Sequence, residues 1–410
     1  MKSALLASCI AITCLAGTAA AAQRPHNWPS KRVEVGLASQ PGGAAALHRS
    51  GGFAFRYQYL AGGVNTGGGW STWNPGGTFV SRYARESLAQ HITPVFTYYM
   101  VRQSLPGRGD GNEQNADLGN LQNVATMRAL FQDLELLFRR ANESRRTEIV
   151  HVEPDLWGHL QQAAQGDDAA TVPVQVAATG LPELAGLPNT AAGFAQAVVR
   201  LRNQLAPHVL LAYHLSVWGT KVDIQYADPP NAEIDTLGAR SAAFYRSLHA
   251  SFDLTFAETS DRDAGFKQKI LGDNGASWWN AADFGRNVRY LGRYSRLSGQ
   301  PIVMWQIPLG NTVMRAENNT WGHFQDNRVQ WFLDGRPAKR HLRRYRAAGV
   351  IAYLFGGGAD GTTCACDARK DGITNPPAIN GNTRRSLSAD DDGGFFKQLA
   401  RQYYKRPLRI

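Results

Sequence analysis

The chain has 410 residues, of which 43% are hydrophobic and 19% charged, with a formal net charge of +11. That length buries a large core without disulfide staples, and past the first two dozen residues no run approaches the roughly 20 apolar residues of a membrane-spanning helix. The basic balance favours anionic surfaces or acidic polymers, whereas the lack of zinc-finger spacing, an RNP-like aromatic strand or a basic heptad region argues against nucleic acid.

Residues 1–22 read as an export signal: Lys2 is followed by an apolar run from Ala4 to Leu15, and Ala20-Ala21-Ala22 offers a small-residue cleavage site. The expected mature chain starts near Gln23 and is secreted or periplasmic. A lipoprotein reading, with Leu6-Ala7-Ser8 before Cys9, leaves too short an apolar run. Removing the signal takes Cys9 and Cys14 with it. The remaining Cys364 and Cys366 are too closely spaced for an easy disulfide and have no nearby ligands for a metal, so that loop is expected to carry a strained bridge or two free thiols.

From there β-branched and aromatic runs alternate with helical patterns. Strands are predicted at Arg32–Leu37, Phe53–Tyr59, Ile92–Met100, Ile149–Glu153, Val209–Leu215, Leu254–Glu258, Ile302–Gln306 and Val350–Phe355. Helices are clearest at Leu121–Asn142, Thr190–Leu205, Leu237–Leu248, Ala281–Leu297 and Ala338–Ala347. Eight strand–helix units in one chain match a (β/α)8 TIM-type barrel, with 23–410 as a single catalytic domain. Gln40-Pro41-Gly42-Gly43 follows the first strand but lacks the dinucleotide-binding fingerprint. The polar stretch from Asp367 to Asp392 is expected to cross the barrel mouth before a last helix near Phe395–Tyr404.

In such a barrel, polar residues at the C-terminal ends of strands face the active-site mouth. That rule selects Glu153 and Asp155 after the fourth strand, His214 and Trp218 after the fifth, Glu258 after the sixth, and Trp305 with Gln306 on the seventh. Two carboxylates across a cleft are the minimum equipment for hydrolysing a glycosidic bond. Glu153 and Glu258 are the expected pair, with Asp155 as the third catalytic candidate. His214, Trp218, Trp278, Trp279, Trp305 and Gln306 are expected to bind substrate, since aromatic rings offer large flat area against sugar faces. There is no H-E-x-x-H and no G-x-S-x-G, and no metal or cofactor is expected.

The stretch TEIVHVEPDLWGHLQQ, followed by FAQAVVRL and VLLAYHLSVWG, resembles the Glu-Pro-Asp region of the family 6 glycoside hydrolases over roughly residues 121–248. The resemblance implies a secreted polysaccharide hydrolase in which Glu153 and Asp155 support a separate acid. The strand that carries the acid in that family reads VFTYYMVRQS here and has no carboxylate, which turns attention to Asp110 and Glu113 on the following loop. The reading of the whole chain is a secreted glycoside hydrolase acting on a polysaccharide or oligosaccharide, with an acidic substrate in view. A non-catalytic carbohydrate-binding barrel stays open beside it, as does a metal-dependent barrel hydrolase using acidic clusters such as Asp261/Asp263 or Asp390–Asp392.

Overall fold

The computed structural model describes residues 24–313, 317, 319, 324–356 and 395–410. Eight strands, β1 (Glu34–Ala38), β2 (Phe55–Leu60), β3 (Thr93–Tyr98), β4 (Glu148–Val152), β5 (Val209–Leu215), β6 (Leu254–Glu258), β7 (Ile302–Pro308) and β8 (Val350–Gly356), pair in chain order and all in parallel. β1 closes the ring on β8, with Gly36 opposite Leu354. The fold is a (β/α)8 barrel, as the alternation of patterns predicts. The export signal, Cys364, Cys366 and the Asp367–Asp392 stretch lie outside the described residues.

The barrel interior follows from period-two alternation along each strand. Going up β2, β5 and β6, the inward positions read Phe55-Tyr57-Tyr59, Leu210-Ala212-His214 and Leu254-Phe256-Glu258, while on β4 they read Ile149-His151. Apolar side chains fill the N-terminal end and polar groups crowd the C-terminal end. Outward residues such as Val150, Val152, Leu211, Tyr213 and Leu215 join the larger core beneath the helices. Gly36 is obligatory in this packing, because a Cβ there would sit 2.5 Å from Leu354 Cδ2 and 2.8 Å from Phe55 Cβ.

The surrounding helices are α1 (Ala44–Gly51), α2 (Thr78–Ala89), α3 (Glu113–Leu121), α4 (Val124–Ala141), α5 (Leu156–Ala163), α6 (Ala191–Leu205), α7 (Asn231–Ser247), α8 (Ala264–Phe266, running into a π-helical turn at Lys267–Leu271), α9 (Ala281–Ser298), α10 (Arg328–Leu333), α11 (Gly335–Ala347) and α12 (Phe395–Lys405). Three starts differ from expectation by three residues or more, α11 beginning at Gly335 where Ala338 is expected. The helix expected from Leu121 begins at Val124 because the Asn123 side chain accepts from Thr126 N and caps it. α7 begins six residues before Leu237, directly after Pro230, since its polar first turn carries no apolar periodicity to read. No helix among the described residues is long and apolar enough to cross a membrane.

Candidate functional site

At the C-terminal mouth a cleft of about 710 Å³ is lined by Tyr59, Tyr99, Trp218, Tyr226 and Trp305, by the carboxylates of Glu113, Asp155, Asp223, Glu258 and Asp261, and by Arg262, Lys267, Gln225 and Gln306 among others. Backbone geometry at the strand ends aims these groups. Glu153 (φ 49°), Asp155 (φ 70°) and Gln306 (φ 54°) all lie in the left-handed region that non-glycine residues avoid, each at a cost of about 1–3 kcal/mol. The β7–β8 register shifts between Met304 and Ile307. This bulge places both Trp305 and Gln306 against the cleft, and the Tyr59 hydroxyl donates to Gln306 Oε1.

The left-handed residues also separate the two acidic groups of the Glu153-Pro154-Asp155 turn. Glu153 is buried, and its carboxylate turns back to the end of β3, accepting from Met100 N at 3.1 Å and Val101 N at 3.1 Å. Burial holds this carboxyl well above the usual range, and the Met100 amide pulls against that shift. It anchors the segment that carries Tyr99 and Gln103 and is not among the residues lining the cleft. Asp155, half-buried, is the one that reaches the cleft.

Asp155 and Glu258 therefore form the close carboxylate pair. One oxygen of each and one ring nitrogen of His214 all lie within 4.8 Å of one another. Burial, reinforced by Glu113, lifts Asp155 to about 7. Glu258 is lifted well above the carboxylate range by burial, and next by Asp155 itself. Two acidic groups this close favour a state in which the pair holds one proton between them. Below them His214 Nδ1 meets His151 Nε2 at 3.0 Å, and His151 Nδ1 meets Thr97 Oγ1 at 3.3 Å. Burial lowers His214 to about 3 and holds His151 well below the usual histidine range, so both rings are neutral. Trp305 packs edge-on against both, with centroids 4.8 and 5.6 Å away. Whichever way the protons lie along this chain, His214 Nε2 is buried and unpartnered beneath the carboxylates.

Asp261 on the next loop has the opposite setting. Burial works against its ionisation, yet Lys267 Nζ, 2.7 Å from Oδ1, overrides it and holds the carboxyl below its usual range. Lys267 also donates to Tyr226 Oη at 2.6 Å. Lys267 carries no sequence signal, because it sits on an irregular helical turn away from any strand end. Tyr59 and Tyr99 could have been found by extending the strand-end rule to β2 and β3.

The remaining expected residues divide. Trp218 and Trp305 line the cleft. Trp218 packs over Gly158, where a Cβ would come 2.6 Å from its ring. Trp278 donates to Gln268 Oε1 at 2.8 Å and is not part of the lining. Trp279 is buried against Phe284, 5.1 Å between centroids, directly before the Asn280/Asp283 capping box of α9. That is a hydrophobic staple, which explains the tryptophan by packing instead of by sugar contact. Glu113 reaches the cleft, whereas Asp110 accepts from Asn112 N on an exposed loop. Asp263 is buried and accepts from Gly310 N, so it does not join Asp261 in a cation site. The described residues instead place Asp155, His214 and Glu258 as the set that could hold a metal.

No protein-family model matches the chain and no curated protein matches it, so the family 6 resemblance of the Glu153-Pro154-Asp155 region gains no support there. Solved structures similar to it include a Cellulomonas fimi endo-beta-1,4-mannanase double mutant, at 11% identity over 81% of this chain and 66% of that one, with a TM-score of 0.45. CbXyn10B in native form is 8% identical over 90% and 96%, with a TM-score of 0.43. The exo-beta-1,4-mannosidase Op5Man5 from Opitutaceae bacterium strain TAV5 is 12% identical over 95% and 62%, with a TM-score of 0.44. Likeness this distant says nothing of the bond this chain acts on.

Proposed function

We propose that the protein is a secreted glycoside hydrolase that cleaves a polysaccharide or oligosaccharide in the cleft at the barrel mouth. The observation that carries this reading is the Asp155–Glu258 pair, with oxygens within 4.8 Å, at the centre of a cleft with five aromatic walls. A retaining glycosidase needs carboxyl groups about 5–5.5 Å apart, whereas an inverting one leaves about 6.5–9.5 Å for a water. Glu258, the more strongly raised of the two, keeps its proton and serves as the general acid to the leaving oxygen. Asp155, ionised above about 7, attacks the anomeric carbon, and the glycosyl ester it forms is then hydrolysed by water that Glu258 deprotonates. Tyr59, Tyr99 and Trp218 supply flat surface for sugar rings, the buried Trp305 backs the site, and Gln306 supplies an amide at the mouth. Glu153 supports the site by holding the β3 loop.

A second reading rests on the same three groups. Asp155, neutral His214 and Glu258 form a set of one nitrogen and two carboxylate ligands of the kind that binds divalent transition metals. His214 is steadied from behind by His151, as ligand histidines usually are. A metal there would make the protein a metal-assisted hydrolase. One experiment separates the two: screening the protein against neutral and acidic polysaccharides for new reducing ends, before and after exhaustive chelation. Hydrolysis unchanged by chelation supports the carboxylate pair. Hydrolysis lost on chelation and restored by zinc or manganese supports the metal. Tight binding with no new ends leaves a carbohydrate-binding barrel.

A further inference from the structure

On the outer wall of the barrel, α7, α9 and α11 border a groove of about 1000 Å³ that shares no lining residue with the mouth cleft. Small residues, among them Gly285, Gly292 and Ala348, keep its floor low. Its walls carry five arginines: Arg286, Arg289, Arg293 and Arg296 from α9, and Arg344 from α11. The α9 arginines recur at intervals of three, four and three residues, which puts them on one helix face over a rise of about 15 Å.

The two ends of this stripe are not alike. Arg286 is ion-paired with Asp228 and Asp283, and Arg289 with Asp235 at 2.5 Å. Arg293, Arg296 and Arg344 have no carboxylate partner among the described residues, and Arg293 Nε is buried with no acceptor. A desolvated guanidinium N–H without an acceptor is unfavourable, and an anionic oxygen is the partner that satisfies it best. The rest of the lining narrows the ligand class. It contains no aromatic ring, so there is no platform for stacking the bases of a single-stranded nucleic acid. Its largest apolar side chain is Val288, so nothing is placed to enter the acyl region of a bilayer.

We propose that this groove binds an acidic polysaccharide, whose carboxylate or sulfate groups are held by Arg293, Arg296 and Arg344. The groove has no lining residue in common with the mouth cleft, and the proposal does not depend on what chemistry occurs there.

The test uses the full chain with heparin and polygalacturonate as probes, titrated by calorimetry at two salt concentrations. Arg293→Gln/Arg296→Gln/Arg344→Gln is expected to weaken binding of at least one polysaccharide by about tenfold or more and to flatten its salt dependence. A control, Arg49→Gln/Arg139→Gln/Arg146→Gln, removes the same charge from exposed positions elsewhere and is expected to stay within about threefold of the parent. Replacing the three groove arginines by lysine keeps the charge but loses the planar fork, and should fall between the parent and the glutamine triple. The proposal is overturned if the parent binds neither polysaccharide, if both glutamine triples lose affinity equally, or if the groove triple loses none. Tighter binding of phosphatidylglycerol vesicles or single-stranded DNA than of both polysaccharides overturns it as well.

Discussion

The two ends of the barrel treat their carboxylates in opposite ways. At the N-terminal end, Glu34 accepts from Ser30 Oγ at 2.5 Å and from Arg32 Nε at 2.8 Å, and Glu148 accepts from Ser144 Oγ at 2.6 Å. Each is buried beside a partner from its own chain neighbourhood. At the C-terminal end, Asp155 and Glu258 accept no hydrogen bond from the described residues and face open cleft. A carboxylate that serves structure is given donors by the protein, whereas one that serves a reactant is left to find them there. Glu153 shows that location alone does not decide which is which. It sits at the mouth, yet two backbone amides hold it as firmly as anything at the base.

Removing the open carboxylates should have the largest effect. Asp155→Asn and Glu258→Gln keep shape and remove proton transfer or attack, so each is expected to lower turnover by about 10²–10⁴-fold, with melting temperature and polymer binding near those of the parent. A variant that keeps near-normal turnover would place the chemistry on other groups.

Glu153→Ala sharpens the contrast from the other side. It leaves the amides of Met100 and Val101 without their acceptor in a buried site, at an expected cost of about 1–3 kcal/mol in unfolding free energy, read by denaturant titration. Glu153→Gln, assayed well below its melting temperature, should keep turnover within about tenfold, far above the two cleft variants, since its carboxyl does not line the cleft. A loss as deep as that of Glu258→Gln would return Glu153 to the catalytic role that its strand-end position suggests.

The smallest effect belongs to the base of the barrel. Burial lifts Glu148 to about 8, and Ser144 offsets this only in part. The folded state therefore holds a proton that the unfolded chain, with an ordinary carboxyl, has released. The stability it contributes is present at acid pH and is lost as pH rises through about 8. Glu148→Gln stays neutral throughout, so its melting temperature relative to the parent should climb between pH 5 and 9. A difference that stays flat across that range would mean Glu148 titrates normally.

The sequence made the barrel legible because its strands are short apolar runs separated by strongly periodic helices, and all eight strands start within two residues of expectation, β5 and β6 matching at both ends. The strand-end rule points to Glu153, which continued alternation along the strand would set beside His151 on the inward face. It failed there because the chain leaves the strand at Val152 and takes two left-handed residues, so that the inward parity passes to Asp155. No periodicity signals such a turn. Trp279 differs from the expected sugar platform for another reason: it stands just before a capping box, and the Trp279-Asn280-Ala281-Ala282-Asp283-Phe284 spacing already spells a staple. Lys267 and the arginine groove depend on which helices neighbour one another, which only the folded chain supplies.

The central claim is that Asp155 and Glu258 act on one glycosidic bond at close quarters, and the configuration of the first product tests it most directly. Once a substrate has been found in the polysaccharide screen, proton NMR of the hydrolysis in progress reads the anomeric signal before mutarotation scrambles it. With one oxygen of each carboxylate within 4.8 Å of the other, the account predicts retention through an Asp155 glycosyl ester. An inverted first product would contradict it, because inversion calls for carboxyl groups about 6.5–9.5 Å apart with a water between them.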